Sequence, residues 1–242
     1  MGRLIENIMS TKDLSTLSVG EIVANDFRTA AIFKSAGIDF CCGGKKSLAE
    51  SCQEKGINPV SLEKEIAEIT ANPQIHSLNF NEWDLDFLCD YVMNTHHRYV
   101  LKTLPELVFY TQKIASVHGG HHAELLEIAS LFAKINEELL QHLGNEENVL
   151  FPAIKRLLKT ESAEDKATII SEIARMSGEH EFAGGAMDQI AVISGHYKVP
   201  DDGCNTYAVT YRLLQEFEDD LHVHVHLENN ILYPKALKLA SN

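Results

Sequence analysis

Apolar residues recur along most of this chain at the three-to-four-residue spacing of helices, and no stretch alternates as a half-buried strand would. Ile22, Val23, Phe27, Ala30 and Phe33 form one stripe, opened by a Ser18/Glu21 capping box and closed by Gly37. That pattern predicts a first helix over 18–36. Shorter helices are predicted over 47–55 and 61–71, and the polar run from Asn72-Pro73 to Asn81 reads as a linker. Long helices follow over 84–117, 120–158, 163–194 and 205–239, separated by features such as Gly119-Gly120 and the segment HYKVPDDGCN. Pro105, Pro152 and Pro234 fall inside helical patterns and predict kinks or local breaks. The expected fold is all-α: a small helical domain (1–75), a linker (76–82) and an antiparallel four-helix bundle (83–242).

Composition narrows the function classes. Hydrophobic residues make up 45% of 242, enough for a packed core. A net charge of −14 argues against a nucleic-acid groove or an anionic membrane surface as partner. No 18-residue apolar run is present to span a membrane. The start MGRLIENIMSTKDL lacks the apolar core of a signal peptide, and Glu6 fails the myristoylation pattern that Gly2 opens. A cytoplasmic protein is expected, with its five cysteines reduced.

The twelve histidines call for an explanation, and an internal repeat supplies one. HLGNEENVLFP (142–152) recurs as HVHLENNILYP (224–234), each copy placing a histidine four residues before a glutamate. That spacing sets imidazole and carboxylate on one helix face, one turn apart. His142 with Glu146, and His224 with Glu228, are therefore candidate metal ligands on the second helix of each helical hairpin. The first helix of each should supply a facing histidine. His97 precedes His142 by 45 residues and His180 precedes His224 by 44, so the hairpins repeat their spacing almost without slippage. His97 is expected to share an inward face with Met93, Val100, Leu101 and Leu104, with His96 at the rim. His118 lies about 31 Å along a helix from His97, and His121 and His122 about 30 Å from His142, too far to share a metal. His222 and His226 are expected to point away from Glu228, either solvated or behind the ligands, and His76 and His196 to lie in loops. The surviving set is His97, His142, Glu146, His180, His224 and Glu228.

Imidazoles and bridging carboxylates suit a dinuclear non-haem iron site, with manganese second. Octahedral ions at such a site offer about twelve positions; four imidazoles, two bridging carboxylates and an oxo or hydroxo bridge leave about two open. Such a site can bind O₂, NO or peroxide, or lose its iron.

These residues resemble the hemerythrin-like di-iron domains over about 83–242. More closely, the chain resembles the iron-sulfur cluster repair family, called "repair of iron centres" (RIC) or ScdA-type. DFCCGGKKSLAE near the N-terminus, NTHHRYVLKTLPEL on the first bundle helix and the two H-x-x-x-E-[EN]-N-[VI]-L-[FY]-P copies carry the resemblance. It implies a cytoplasmic, often homodimeric protein of the nitrosative and oxidative stress response. Such a protein restores damaged iron-sulfur client proteins by supplying iron from two bridged iron ions, and the same six ligands carry over. Oxygen-carrying hemerythrins have a further histidine one turn from the third-helix ligand; here those positions are Met176 and Gly184, which argues against an oxygen carrier. An NO or peroxide reductase, and an O₂ or NO sensor, are the competing expectations.

Cys41 and Cys42 are adjacent, so a disulfide between them would be strained. Gly43 and Gly44 are expected to take positive φ and expose the pair, and Lys45 and Lys46 to favour thiolate. The pair reads either as a redox or iron relay or as two thiols packed beside Phe40, and the resemblance favours the first. Cys52 and Cys89 are expected in the core. Cys204 is expected at the start of the last helix, where the helix dipole lowers a thiol's pKa.

Overall fold

The structure, a computed structural model, describes residues 14–71 and 78–241. Gly2, Glu6, Asn72, Pro73 and His76 lie outside the described residues. The described residues are helical, with no strand beyond an isolated bridge between Ser18 and Ser47. The chain divides into two compact units between Glu82 and Trp83, which are described separately.

In the N-terminal unit, the helix predicted over 18–36 is broken. Helix α1 (Val19–Asn25) has the expected Ser18/Glu21 capping box, but the chain turns extended at Asp26 and restarts through a 3₁₀ turn (Phe27–Thr29) into α2 (Ala30–Ser35). Asp26 is a competing cap: its carboxylate accepts from the Arg28 backbone N–H and from the Arg28 guanidinium. Gly37 closes α2 at φ 63°, as the pattern predicts. Helix α3 (Leu48–Lys55) begins at a Ser47/Glu50 capping box. Helix α4 (Pro59–Thr70) starts two residues before the predicted position, because Asn58 caps it and Pro59 fits the first turn. Phe80 is buried and packs edge-on against Phe27, so the end of the predicted linker belongs to this unit's core with Ile22, Phe33, Leu48 and Ile66.

The second unit is a four-helix bundle in which most helices are composite. Helix α5 (Leu85–Val92) runs through a π turn (Met93–His97) into α6 (Arg98–His118). Helix α7 (Glu124–Asn145) runs through a π turn (Glu146–Leu150) into α8 (Phe151–Leu157). Helix α9 (Ala163–Ile193) is uninterrupted. Helix α10 (Asn205–Leu227) runs through a π turn (Glu228–Leu232) into α11 (Tyr233–Ser241). Leu104, Leu107, Phe132, Ile135, Ile173, Met187, Leu214 and Phe217 fill the centre. Each such side chain contributes about 1.5–3 kcal/mol by leaving water.

The prolines sort by what precedes them. Pro152 and Pro234 stand just behind π turns, where the Phe151 and Tyr233 amides bond five residues back, to the Glu146 and Glu228 carbonyls. A proline lacks the next amide donor and crowds the carbonyl four residues earlier; the wider turn absorbs both. Pro105 is different. Helix α6 carries it without the expected break; the carbonyl it leaves unpaired belongs to Leu101, a residue 44% exposed, on the side of the helix where water can take the missing bond. Leu101 thus departs from its predicted inward face. The π turn at Met93–His97 inserts a residue and rotates the buried stripe to Val100, Leu104 and Leu107.

Candidate metal centre

The bundle brings all six predicted residues together in its interior. His97, His142, Glu146, His180, His224 and Glu228 are each no more than 2% exposed. Three sit at π turns: His97 ends the first, while Glu146 and Glu228 begin the others. Local widening of a helix at ligand positions is a recurring mark of functional sites. His180 comes from the uninterrupted α9.

The residues form overlapping groups. His97, Glu146, His224 and Glu228 each bring a ligand atom to within 4.8 Å of the others, and so do His142, His180 and Glu228. Glu228 belongs to both: its Oε1 lies 2.9 Å from His224 Nε2, and its Oε2 3.1 Å from His180 Nε2. Glu146 turns Oε2 toward His97 Nε2 (3.2 Å) and His142 Nε2 (3.3 Å), and gives Oε1 to the Tyr233 hydroxyl, which donates at 2.7 Å.

Outer partners fix which imidazole nitrogen faces inward. His97 Nδ1 donates to Glu147 (2.9 Å), His142 Nδ1 to Glu179 (2.7 Å) and His180 Nδ1 to the Asn229 amide oxygen (2.9 Å). This is the arrangement that orients metal-binding histidines and raises their basicity. Inside, His97 Nε2, Glu146 Oε2 and Glu228 Oε2 are buried without a hydrogen bond of ordinary geometry. His142 Nε2 and His180 Nε2 face each other at 3.0 Å. Buried polar atoms left so are costly, and a cation placed among them satisfies all of them at once.

The electrostatics agree. Burial lowers the His97 and His142 pKa values, but Glu146 and Glu228 outweigh it and raise both to about 10. Burial and the mutual repulsion of the carboxylates push Glu146 up, yet the imidazoles, led by His142, hold it at about 2. Glu228 is likewise held well below the carboxylate range, His224 and His180 overcoming burial. His224 moves the other way, its pKa lowered by burial. Without metal the buried carboxylates recruit protons onto imidazole; a cation supplies the same positive charge and releases them. The residues therefore fit the metal chemistry their types suggest.

Several neighbours went unread in the sequence. Glu147 and Asn229 occupy the same place in the two repeat copies, directly after the ligand-type glutamate, and that shared place was the available signal. Tyr233 and Phe151 also correspond; Tyr233 stacks on His180 and Phe151 on His97. Glu179 carries no periodic signal and is found only through its contact with His142. His96 is not at the rim: it is 3% exposed, stacked on His224 and bonded to Asp220. His226 is buried behind the ligand face, with its Nδ1 3.1 Å from the Asn230 amide nitrogen. One turn from His180, Met176 is buried and its sulfur accepts from the Tyr233 hydroxyl at 3.5 Å.

In the N-terminal unit the cysteine turn differs from expectation. Cys41 is buried rather than exposed, and Cys42 is half-buried. Neither Gly43 nor Gly44 has positive φ; the turn is organised by Asp39, which accepts from the Cys41 and Gly43 amides and from the Cys41 thiol. Lys46 is drawn to Glu54 (2.6 Å). The Cys41 thiol is therefore pushed well above its ordinary pKa, by its bond with Cys42, then by burial and Asp39. Asp39, Cys41 and Cys42 nonetheless gather as a three-residue set able to hold an ion. Cys52 and Cys89 are buried as expected.

Comparison with known proteins matches residues 90–236 to the hemerythrin HHE cation binding domain and residues 16–70 to ScdA_N, a domain of unknown function (DUF542). The iron-sulfur cluster repair protein ScdA of Staphylococcus haemolyticus (strain JCSC1435) is 30% identical over 217 residues, covering 90% of this chain and 96% of that protein. The iron-sulfur cluster repair protein YtfE of Musicola paradisiaca (strain Ech703) is 32% identical over 221 residues, covering 91% and 96%. The protein of that name from Yersinia pseudotuberculosis serotype O:1b (strain IP 31758) is 30% identical over 226 residues, covering 93% and 99%.

Proposed function

This chain belongs to the ScdA/YtfE family of hemerythrin-like iron-sulfur cluster repair proteins, and on that premise we propose that its bundle holds two iron ions and supplies iron to damaged clusters. The observation that carries the reading is the sharing of Glu228 between both ligand groups, with unsatisfied atoms of His97 and Glu146 turned into the same space. His97 and His224 would hold one ion, His142 and His180 the other. Glu228, and with it Glu146, would supply the carboxylates held in common. Iron supplies Lewis acidity and one-electron chemistry when bound, and as cargo it is what a damaged cluster lacks. The protein's part is to hold its ligands deprotonated and oriented, and to receive protons on His97 and His142 when an ion departs.

The damaged iron-sulfur clients, nitrosative and oxidative stress, a cytoplasmic setting and a homodimeric state belong to the same proposal, supported by the family. Asp39, Cys41 and Cys42 lie close enough to hold a transient iron ion, and because Cys41 holds its proton, either ligation or redox chemistry there has first to remove it.

The test mixes the iron-loaded protein with a hydratase whose cluster has been damaged and follows return of hydratase activity. Recovery above that given by the same amount of free ferrous iron supports donation. No such recovery, with rapid N₂O formation from NO, assigns the centre to NO reduction instead.

A further inference from the structure

A second group of ligand-type side chains lies in the bundle unit, outside the six-residue centre. Glu218 and His222 stand one turn apart on α10, the reverse of the His-xxx-Glu order at the centre, and Asp188 meets them from α9. Their ligand atoms lie within 4.8 Å of one another. Glu218 is buried, His222 half-buried and Asp188 exposed, so the group is anchored inside and open to solvent on one side.

Tyr197 supplies an independent observation. It follows α9 in a turn with left-handed backbone (φ 61°), and its amide donates to the Ser194 hydroxyl at 3.0 Å. The side chain is only 9% exposed, yet its hydroxyl is buried without a hydrogen bond of ordinary geometry. The phenol faces this same group: its pKa is raised by burial, then by Glu218, with Asp219 and Asp188 adding to it. A buried hydroxyl aimed at close carboxylates, its contact with Glu218 too poorly aligned to be an ordinary hydrogen bond, leaves a place for a further polar occupant.

We propose that Asp188, Glu218 and His222 form a separate, mononuclear site for a divalent first-row transition ion. Two carboxylates balance the charge of such an ion, and one imidazole selects it over magnesium and calcium. Three protein donors leave the remaining positions to water, one of which the Tyr197 hydroxyl is placed to meet. The enclosed centre has ligands no more than 2% exposed, whereas this site exchanges directly with solvent through Asp188. It does not depend on the function proposed for the buried centre.

The probe is Mn²⁺, titrated into the protein as purified with its native metal and followed by loss of the free-ion EPR signal, with iron content read on the same samples. One Mn²⁺ per chain is expected, bound without loss of iron. Glu218→Gln, His222→Ala and Asp188→Asn should each weaken it about 10-fold or more while iron content stays unchanged. The exposed position of Asp188 keeps the test valid if a change at Glu218 or His222 disturbs folding. Glu216→Gln removes a charge from the same helix outside the group and should leave binding as it was. Absence of bound Mn²⁺ in the unmodified protein overturns the site. So does unchanged binding in Asp188→Asn, or equal weakening by Glu216→Gln, which would mark diffuse attraction to an acidic surface.

Discussion

The two halves of the bundle repeat one design and finish it differently. Both place a histidine on their first helix, a His-xxx-Glu pair on their second, and a residue after the glutamate that holds the facing histidine's Nδ1. In the first half that residue is Glu147, a full charge on His97; in the second it is Asn229, a neutral amide on His180. His142 has Glu179 behind it, while His224 has a stacked imidazole, His96, and a buried Nδ1 without a hydrogen bond. Phe151 in one half answers to Tyr233 in the other, and only Tyr233 reaches across to Glu146. Equal sets of residues therefore do not have equal surroundings. The surroundings raise the pKa of His97 and His142 in the first half and lower that of His224 in the second, and they tie the first half's carboxylate to a tyrosine of the second.

The largest test of this difference exchanges each glutamate for leucine. Glu228 serves both ligand groups, so Glu228→Leu should remove about one iron or more per chain. Glu146→Leu should remove less, because one of its oxygens is already committed to Tyr233. Equal iron loss by metal analysis would erase the distinction between the carboxylates.

Next is pH. In metal-free protein, His97 and His142 have folded pKa values raised to about 10. A raised imidazole pKa adds stability that is complete below the unfolded value, about 6.5, and is lost as pH rises through about 10. His224, lowered by burial, acts in the opposite sense and costs stability as pH falls below that unfolded value. Urea unfolding of metal-free protein should weaken between pH 7 and 10, a loss that shrinks in the iron-loaded form, where metal rather than protons holds the imidazoles. A flat alkaline profile in the metal-free form would mean that the first half is not charged.

Smaller effects should follow from the outer partners. Glu147→Gln makes the halves alike at that place and should speed iron release to a chelator on the order of 10-fold. Asn229→Asp should slow it. Identical release rates would show that the outer charge does not reach the metal. Smallest is Tyr233→Phe, which turns the second half into a copy of the first there. Losing a hydrogen bond to a buried carboxylate should cost about 1.5 kcal/mol in urea unfolding of metal-free protein.

The six converging residues were legible because their signal is one-dimensional. A spacing of four along a helix is a statement about one face, and the repeat states it twice. Their partners were not, because Glu179 meets His142 and Tyr233 meets Glu146 across helix packing that no local spacing encodes. Leu101 and His96 show a second limit. Extrapolating at 3.6 residues per turn through Met93–His97 fails where the helix widens, so Leu101 turns outward and both adjacent histidines are buried. In the cysteine turn, charge counted along the chain suggested that lysines would activate the thiols. In space the nearest charge is Asp39, which holds the Cys41 proton in place. Cys204 stands at the N-cap position of α10, as its place in the chain predicts, and the Tyr207 amide, with His118 at 3.1 Å, lowers its pKa to about 7.

By itself the sequence determined the all-helical fold, the doubled ligand pattern and the six residues that meet at the bundle's centre, because periodicity and repetition are properties of the chain alone. Tertiary structure decided which carboxylate is shared, which imidazoles carry charge, and where a second group of donors forms beside Tyr197. Those depend on burial and on charges brought close from distant parts of the chain, and such energies exist only once the helices have packed.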